Sequence, residues 1–143
     1  IPPDPRAGAR YEGQTPMARI LIAEDEDALR DLLQRGLREQ GHEVAVAADG
    51  TEAIEMLSAQ GRPFDLLLSD IRMPLMDGIA LALAAARDHP NLAILLMTGS
   101  AEHRERAQGL DALIQGVVPK PFTLSDLRLR VDAALAHRAA RSP

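Results

Sequence analysis

Cysteine is absent from the 143 residues. Disulfides, thiolate metal sites and a cysteine nucleophile are thereby excluded. The absence agrees with a reducing compartment, so a cytoplasmic location is expected. Aromatic residues are scarce as well: Tyr11, Phe64 and Phe122 make up 2% of the chain. The core must therefore be aliphatic, built from Leu, Ile, Val and Ala. No block of lysine and arginine occurs, and 16 basic against 21 acidic residues leave a net charge of −5. Direct DNA binding, which rests on phosphate neutralisation, is not expected. No apolar stretch approaches the length of a membrane span, and no secretory leader is legible. What remains is 46% apolar, the composition of a globular chain rather than a disordered one. Its length suits one domain with one core.

Residues 1–16 stand apart. They open Ile-Pro-Pro-Asp-Pro-Arg-Ala-Gly, rich in Pro and Gly and without periodicity, so a flexible tail is expected. Met17 looks like a natural start, which makes the tail an artificial addition or an upstream extension. The folded domain is expected over residues 17–138, with residues 139–143 as a polar stub.

The most informative stretch is Leu66-Leu67-Leu68-Ser69-Asp70, an apolar run that ends in one carboxylate. Gly61-Arg62-Pro63 precedes it and Met73-Pro74-Leu75-Met76-Asp77-Gly78 follows. A short apolar run between turn signals reads as a buried parallel strand. Four more strands are expected: residues 19–23, leading into Glu24-Asp25-Glu26-Asp27; residues 42–47; residues 92–97, leading into Thr98-Gly99-Ser100; and residues 116–119, leading into Lys120-Pro121-Phe122. Amphipathic helices fill the intervals. The first carries Leu29, Leu32, Leu33 and Leu37 and ends at Gly41. The second follows the Asp49-Gly50-Thr51 turn with Ala53, Ile54 and Leu57. The third presents Ile79, Leu81, Leu83 and Ala86, and the last presents Leu127, Val131 and Leu135, with Leu124 less inward, behind a Thr123 cap. Residues 101–108 should also be helical, yet they contain no Leu, Ile, Val or Phe to hold a helix down.

Strands that alternate with helices at this spacing form a parallel sheet covered on both faces, with right-handed crossovers. Every strand's carboxyl end then lies on one edge, where ligands of such sheets bind. That edge gathers Glu24, Asp25, Asp70, Thr98 and Lys120. Two carboxylates about 5 Å apart repel by roughly 3 kcal/mol at an effective dielectric near 20, so three acids call for a compensator. The Lys120 ammonium is one; a hard divalent cation such as Mg²⁺ is another. A carboxylate can also act as a nucleophile and hold an acyl phosphate. The cation, Lys120 and the Thr98 hydroxyl would then neutralise the phosphoryl oxygens. Each residue alone has a plainer reading. Asp70 alone would be a turn or cap residue, Glu24-Asp25 helix-start acids, Thr98-Gly99 a strand exit, and Arg72 and Ser100 solvent-facing loop residues. The argument rests on their joint placement.

These residues, in this order and spacing, resemble the receiver domain of bacterial two-component response regulators. The likeness rests on Glu24-Asp25, the run from Asp70 to Gly78, Thr98 and Lys120-Pro121-Phe122, and spans about residues 18–136. It implies a flavodoxin-like (βα)5 three-layer α/β sandwich, with a parallel five-stranded sheet of order 2-1-3-4-5. It implies that Asp70 is the phosphorylated aspartate and that Thr98 moves toward the phosphoryl group, with which Lys120 pairs. Asp25 and Asp70 would ligate Mg²⁺ directly, Glu24 through water, and Arg72 by its backbone carbonyl. A cis Lys120-Pro121 bond is implied too. The phosphodonor would be a sensor histidine kinase or a histidine phosphotransfer protein. The domain would be no enzyme in its own right, though it would assist its own phosphorylation and dephosphorylation. Its signal would pass to an unknown downstream protein through a face around residues 101–130. A departure stands at Val117, where members of the family often carry an aromatic whose rotamer responds to the threonine. Without that ring, residues 101–108 are expected to be mobile and to order on activation.

Within the family, the layout is similar to the alphaproteobacterial single-domain regulators that steer proteolysis in the cell cycle. A hybrid-kinase receiver and a phosphate sink are the alternatives. From another class, an aspartate-nucleophile, Mg²⁺-dependent phosphatase also uses a strand-end Asp, but the position of its acid/base Asp is Arg72 here. A nucleotide or flavin module is opposed by residues 23–27, which are acidic where a Gly-rich cradle would be needed. The scattered His42, His89, His103 and His137 read as surface or structural residues.

Overall fold

The computed structural model describes residues 18–141, with side chains through residue 138. Along them run β1 (Arg19–Ala23), α1 (Asp27–Glu39), β2 (Glu43–Ala47), α2 (Gly50–Ser58), β3 (Leu66–Asp70), α3 (Gly78–Asp88), β4 (Ala93–Thr98), α4 (Ala101–Gln108), β5 (Gly116–Pro119) and α5 (Leu124–Arg141). The expectations for residues 1–16 lie outside the described residues, as do those for residues 142 and 143. α5 runs to Arg141, so residues 139–141 extend a helix beyond the boundary expected at 138.

The strands form one parallel sheet of order β2-β1-β3-β4-β5, as the alternation of elements implies. β3 and β4 are buried at every position because helices cover both faces of the sheet. Alternate side chains feed two separate cores. Leu21, Leu67, Ile94 and Leu96 pack on one face with Ala53 and Leu57 of α2, Leu81, Ala82 and Ala85 of α3, and Ala107 of α4. Ile20, Ile22, Leu66, Leu68 and Leu95 pack on the other with Leu33 and Leu37 of α1 and Leu127, Val131 and Leu135 of α5. The scarcity of rings is borne out: these cores are aliphatic except for Phe64 and the half-buried Phe122.

Local chemistry marks most helix starts. Asp49, Asp77, Ser100 and Thr123 accept backbone N–H bonds from Glu52, Ala80, His103 and Asp126. Gly41, at φ +104°, closes α1. Two leucines assigned to buried faces are exposed instead, Leu32 by 43% and Leu83 by 46%. In α1 the inward face is Leu33, Gly36 and Leu37. A Cβ on Gly36 would stand 2.8 Å from a methyl of Leu124, so close approach of α5 turns Leu32 to the flank. In α3, alanines 82 and 85 take the inward positions.

Candidate functional site

Register places the charged residues. Ala23 pairs with Ser69, and Asp70 with Met97, so β1, β3 and β4 end almost level. Beyond those ends the ladder continues through single bonds. Glu24 N–H donates to the Ala47 carbonyl at 3.1 Å, Ile71 N–H to Met97 at 3.1 Å, and Lys120 N–H to Thr98 at 2.7 Å. The Lys120-Pro121 bond is cis. Glu24, Asp25, Asp70, Thr98 and Lys120 thus come together at one edge, around a recess of about 410 Å³ that Arg72, Ser100 and His103 also line.

Lys120 Nζ lies 2.9 Å from Asp70 Oδ2 and 3.8 Å from Glu24 Oε1. It is the only lysine in the chain, a signal that sequence reading could have used, since its fifteen basic companions are all arginine. A compact, mobile ammonium can follow a group added to Asp70, whereas a planar guanidinium prefers a fixed fork. Asp70 is itself buried, and its Oδ1 has a long contact of 3.4 Å from the Arg72 N–H. The loop beyond Asp70 must pass very close to it. A Cβ at Gly78 would stand 2.2 Å from the Asp70 carbonyl oxygen, and Gly78 N–H donates to Ile71 at 2.8 Å.

Glu24 and Asp25 are adjacent in sequence but differ in environment. Asp25 is exposed, whereas Glu24 is 1% exposed. Glu24 Oε2 accepts the Glu26 N–H at 3.0 Å, while Oε1 is buried without a hydrogen-bond partner. Burial pushes the Glu24 carboxyl up to about 7, against the Glu26 N–H; the charge on Asp70 adds to the rise and Lys120 opposes it. Carboxylate oxygens of Glu24, Asp25 and Asp70 all lie within 4.8 Å of one another. Three acids facing one ammonium leave surplus negative charge. Together with the orphaned Oε1, that all-oxygen donor set fits a hard divalent cation.

Thr98 reaches the same edge, but its hydroxyl is engaged elsewhere. Oγ1 donates to the Ser100 carbonyl at 3.2 Å and accepts the Ser100 N–H at 3.1 Å. The side chain of Ser100 in turn accepts the His103 N–H at 3.4 Å and caps α4. His103 is a rim residue that sequence reading passed over among the scattered histidines. Its spacing of three from Ser100 at a helix start was the available signal. His42 is buried at the opposite edge, where its Nδ1 accepts the Ala18 N–H at 3.3 Å, a structural role.

The model of the response regulator receiver domain family matches residues 20–132. Response regulator MprA of Mycobacterium ulcerans is 40% identical over 117 residues, which cover 82% of this chain and 50% of that protein. MprA of Mycobacterium leprae matches with the same identity and coverage. Among solved structures, a CheY-like response regulator receiver domain protein of Methanospirillum hungatei superposes with a TM-score of 0.81 at 28% identity, covering 89% of this chain and all of that one. The response regulator TrrA of Thermotoga maritima, solved in complex with Mg²⁺-BeF, gives a TM-score of 0.72 at 29% identity over 82% of this chain and 99% of that one. The chain therefore belongs to the response regulator receiver domain family. It spans about half the length of the curated relatives it matches.

Proposed function

We propose that this domain is a phosphorylation-controlled switch that takes a phosphoryl group onto Asp70 from a phosphohistidine, carried by a sensor histidine kinase or a histidine phosphotransfer protein. The observation that carries this reading is the Lys120–Asp70 pair at 2.9 Å, beside a buried acid with an unpartnered oxygen. Lys120 holds Oδ2, which leaves Oδ1 as the freer oxygen for attack. As the Oδ1–phosphorus bond forms, the donor's nitrogen–phosphorus bond breaks, and the imidazole leaves with that electron pair and takes up a proton. Transfer of this kind depends mainly on positioning and charge neutralisation. Lys120 then pairs with a phosphoryl oxygen. Glu24, Asp25, Asp70 and the Arg72 carbonyl are the groups that would hold Mg²⁺, which supplies charge neutralisation when bound.

The Thr98 hydroxyl is the group placed to report the change. Turning it toward a phosphoryl oxygen would release its two bonds to Ser100, the residue that caps α4. This route needs no ring at Val117. α4 with the neighbouring β5 and α5 would present the altered face to a downstream protein, rather than to DNA or a membrane.

The test is incubation with acetyl phosphate, with and without Mg²⁺, followed by intact mass. The wild-type chain should gain the mass of one phosphoryl group in a Mg²⁺-dependent manner, and Asp70→Asn should gain none. Equal labelling of the two would overturn the assignment. Sustained release of phosphate from small phosphomonoesters would point to a phosphatase instead.

A further inference from the structure

The turn that carries the acid pair has little of its own to hold it. Asp25 and Glu26 are exposed. α1 opens at Glu26 without a side-chain cap, the device that starts each of the other four helices. A carboxylate on a slack turn makes a poor ligand, because the bonds behind a ligand aim it and tune the affinity for the ion.

Arg30, one turn into α1, supplies the missing hold. Its Nη1 donates to the Glu24 carbonyl oxygen at 2.8 Å. Its backbone N–H donates to the Glu26 carbonyl at 2.9 Å. Glu24 is thereby fastened at three points. Its N–H donates to Ala47, its Oε2 accepts the Glu26 N–H, and its carbonyl accepts Arg30. The first two fix the strand end and the buried side chain. The third fixes the peptide plane between Glu24 and Asp25, and with it the direction in which Asp25 leaves the backbone. A bond from a guanidinium is also stronger than one between neutral groups.

A bare guanidinium so near the acid pair would repel a divalent cation. Asp27 removes that objection. Its Oδ1 meets Arg30 Nη2 at 2.5 Å, so the two side chains carry no net charge between them. The donor stays while its field is largely cancelled. The division of exposure agrees: the Arg30 side chain is 20% exposed and Asp27 is 91% exposed, so the donor is sheltered and its neutraliser faces water. Arg30 does not line the recess, so it acts through Glu24 and Asp25. We infer that Arg30 is a positioning residue that sets the Mg²⁺ affinity of the site, by its bond to the Glu24 carbonyl and against the sign of its charge. The inference rests on the reading of Glu24, Asp25 and Asp70 as the groups that hold Mg²⁺.

The test compares wild type with Arg30→Met and Arg30→Lys. Met keeps a long unbranched stem and suits a helix, but has neither donor nor charge; Lys keeps both. Mg²⁺ affinity is measured by calorimetric titration with magnesium chloride, in the absence of any phosphodonor. Arg30→Met should bind Mg²⁺ about fivefold more weakly, the factor that loss of one hydrogen bond carries, and Arg30→Lys should stay within about twofold of wild type. With acetyl phosphate, the Mg²⁺ concentration for half-maximal uptake should rise by the same factor in Arg30→Met. The maximal rate at saturating Mg²⁺ should stay within about twofold of wild type. Mg²⁺ binding by Arg30→Met as tight as wild type, or tighter as loss of a positive charge alone would give, would overturn the inference. So would Arg30→Lys binding as weakly as Arg30→Met, or a fall in the maximal rate at unchanged affinity, which marks a merely structural role. Absence of Mg²⁺ binding by wild type would instead remove the reading of the acid cluster beneath it.

Discussion

At Gly78 a missing side chain decides where Asp70 stands. The first turn of α3 lies against the Asp70 carbonyl, and an added Cβ would meet backbone atoms at 2.2 to 2.9 Å. Backbone atoms cannot rotate aside as a side-chain tip does. Gly78→Ala is therefore expected to lower unfolding stability by about 2–3 kcal/mol, visible in a urea titration, and to slow phosphate uptake from acetyl phosphate because the strand end moves with its carboxylate. Arg72 is the opposite kind of residue, exposed and free of packing duty. It lines the recess, and if Asp70 carries an acyl phosphate as proposed, Arg72 would shield or steer the water that hydrolyses it. Arg72→Ala should leave stability unchanged and shorten the phosphorylated lifetime by on the order of threefold, ~0.6 kcal/mol of barrier, measured by loss of the phosphorylated mass over time. The acid pair, Asp70, Thr98 and Lys120 were legible in the sequence because each closes a recognisable strand. The burial that separates Glu24 from Asp25 was not, since adjacent carboxylates look alike until the strand's twist and the neighbouring loop assign one of them to the interior.

Among the elements, α4 is held by the fewest ties. Of its eight residues only Ala107 is buried. Its other anchors are the Ser100 cap and the Arg106–Asp77 ion pair, whose partners are 47% and 35% exposed. An ion pair so exposed contributes little, so the cap and one alanine carry most of the attachment. The segment is nevertheless already helical here, which revises the expectation that it orders on activation: activation can alter how the helix is anchored rather than whether it forms. Beryllofluoride, a phosphoryl mimic, should draw the Thr98 hydroxyl away from Ser100. Amide exchange over residues 101–108 should then change by severalfold, and Ser100→Ala, which removes a cap of about 1 kcal/mol, should speed exchange there without the mimic. Identical exchange with and without beryllofluoride would reject the route through Ser100. Strand positions were the most legible elements, because β3 and β4 are unbroken apolar runs. The faces of α1 and α3 were less so. Leu32 and Leu83 satisfy a helical period as well as their neighbours do, and only the approach of Leu124 to Gly36 and the choice of alanines at 82 and 85 settle which side turns inward.

At the scale of the whole molecule, the sheet has a chemical edge and a structural edge. His42 belongs to the second. Burial lowers its pKa from the ordinary 6.5, with the charges of Asp132 and Asp65 opposing that shift. Protonation would also cost the bond that Nδ1 accepts from Ala18 N–H. The unfolded chain therefore binds this proton more readily than the fold does. Its effect on stability vanishes above the ordinary value and grows as pH falls below about 6.5, levelling once the folded histidine also titrates. Thermal melts should show stability falling through that window, and His42→Asn, whose amide oxygen can still accept the Ala18 N–H, should flatten the fall.

The sequence by itself determined the alternation of strands and helices, the parallel sheet and the set of residues at its carboxyl edge. These follow from the period of apolar residues and from turn chemistry, which are local. Only the tertiary structure decided that Glu24 is buried with an unpartnered oxygen, that Thr98 spends its hydroxyl on Ser100, and that Leu75 is forced outward on a left-handed backbone. The Thr98–Ser100 bonds span only two residues but need the exact backbone turn after β4, while the other two depend on packing between separate segments, the contact of Met76 with Gly50 among them. Close packing sets such distances to tenths of an ångström, a precision that no local pattern of residues carries.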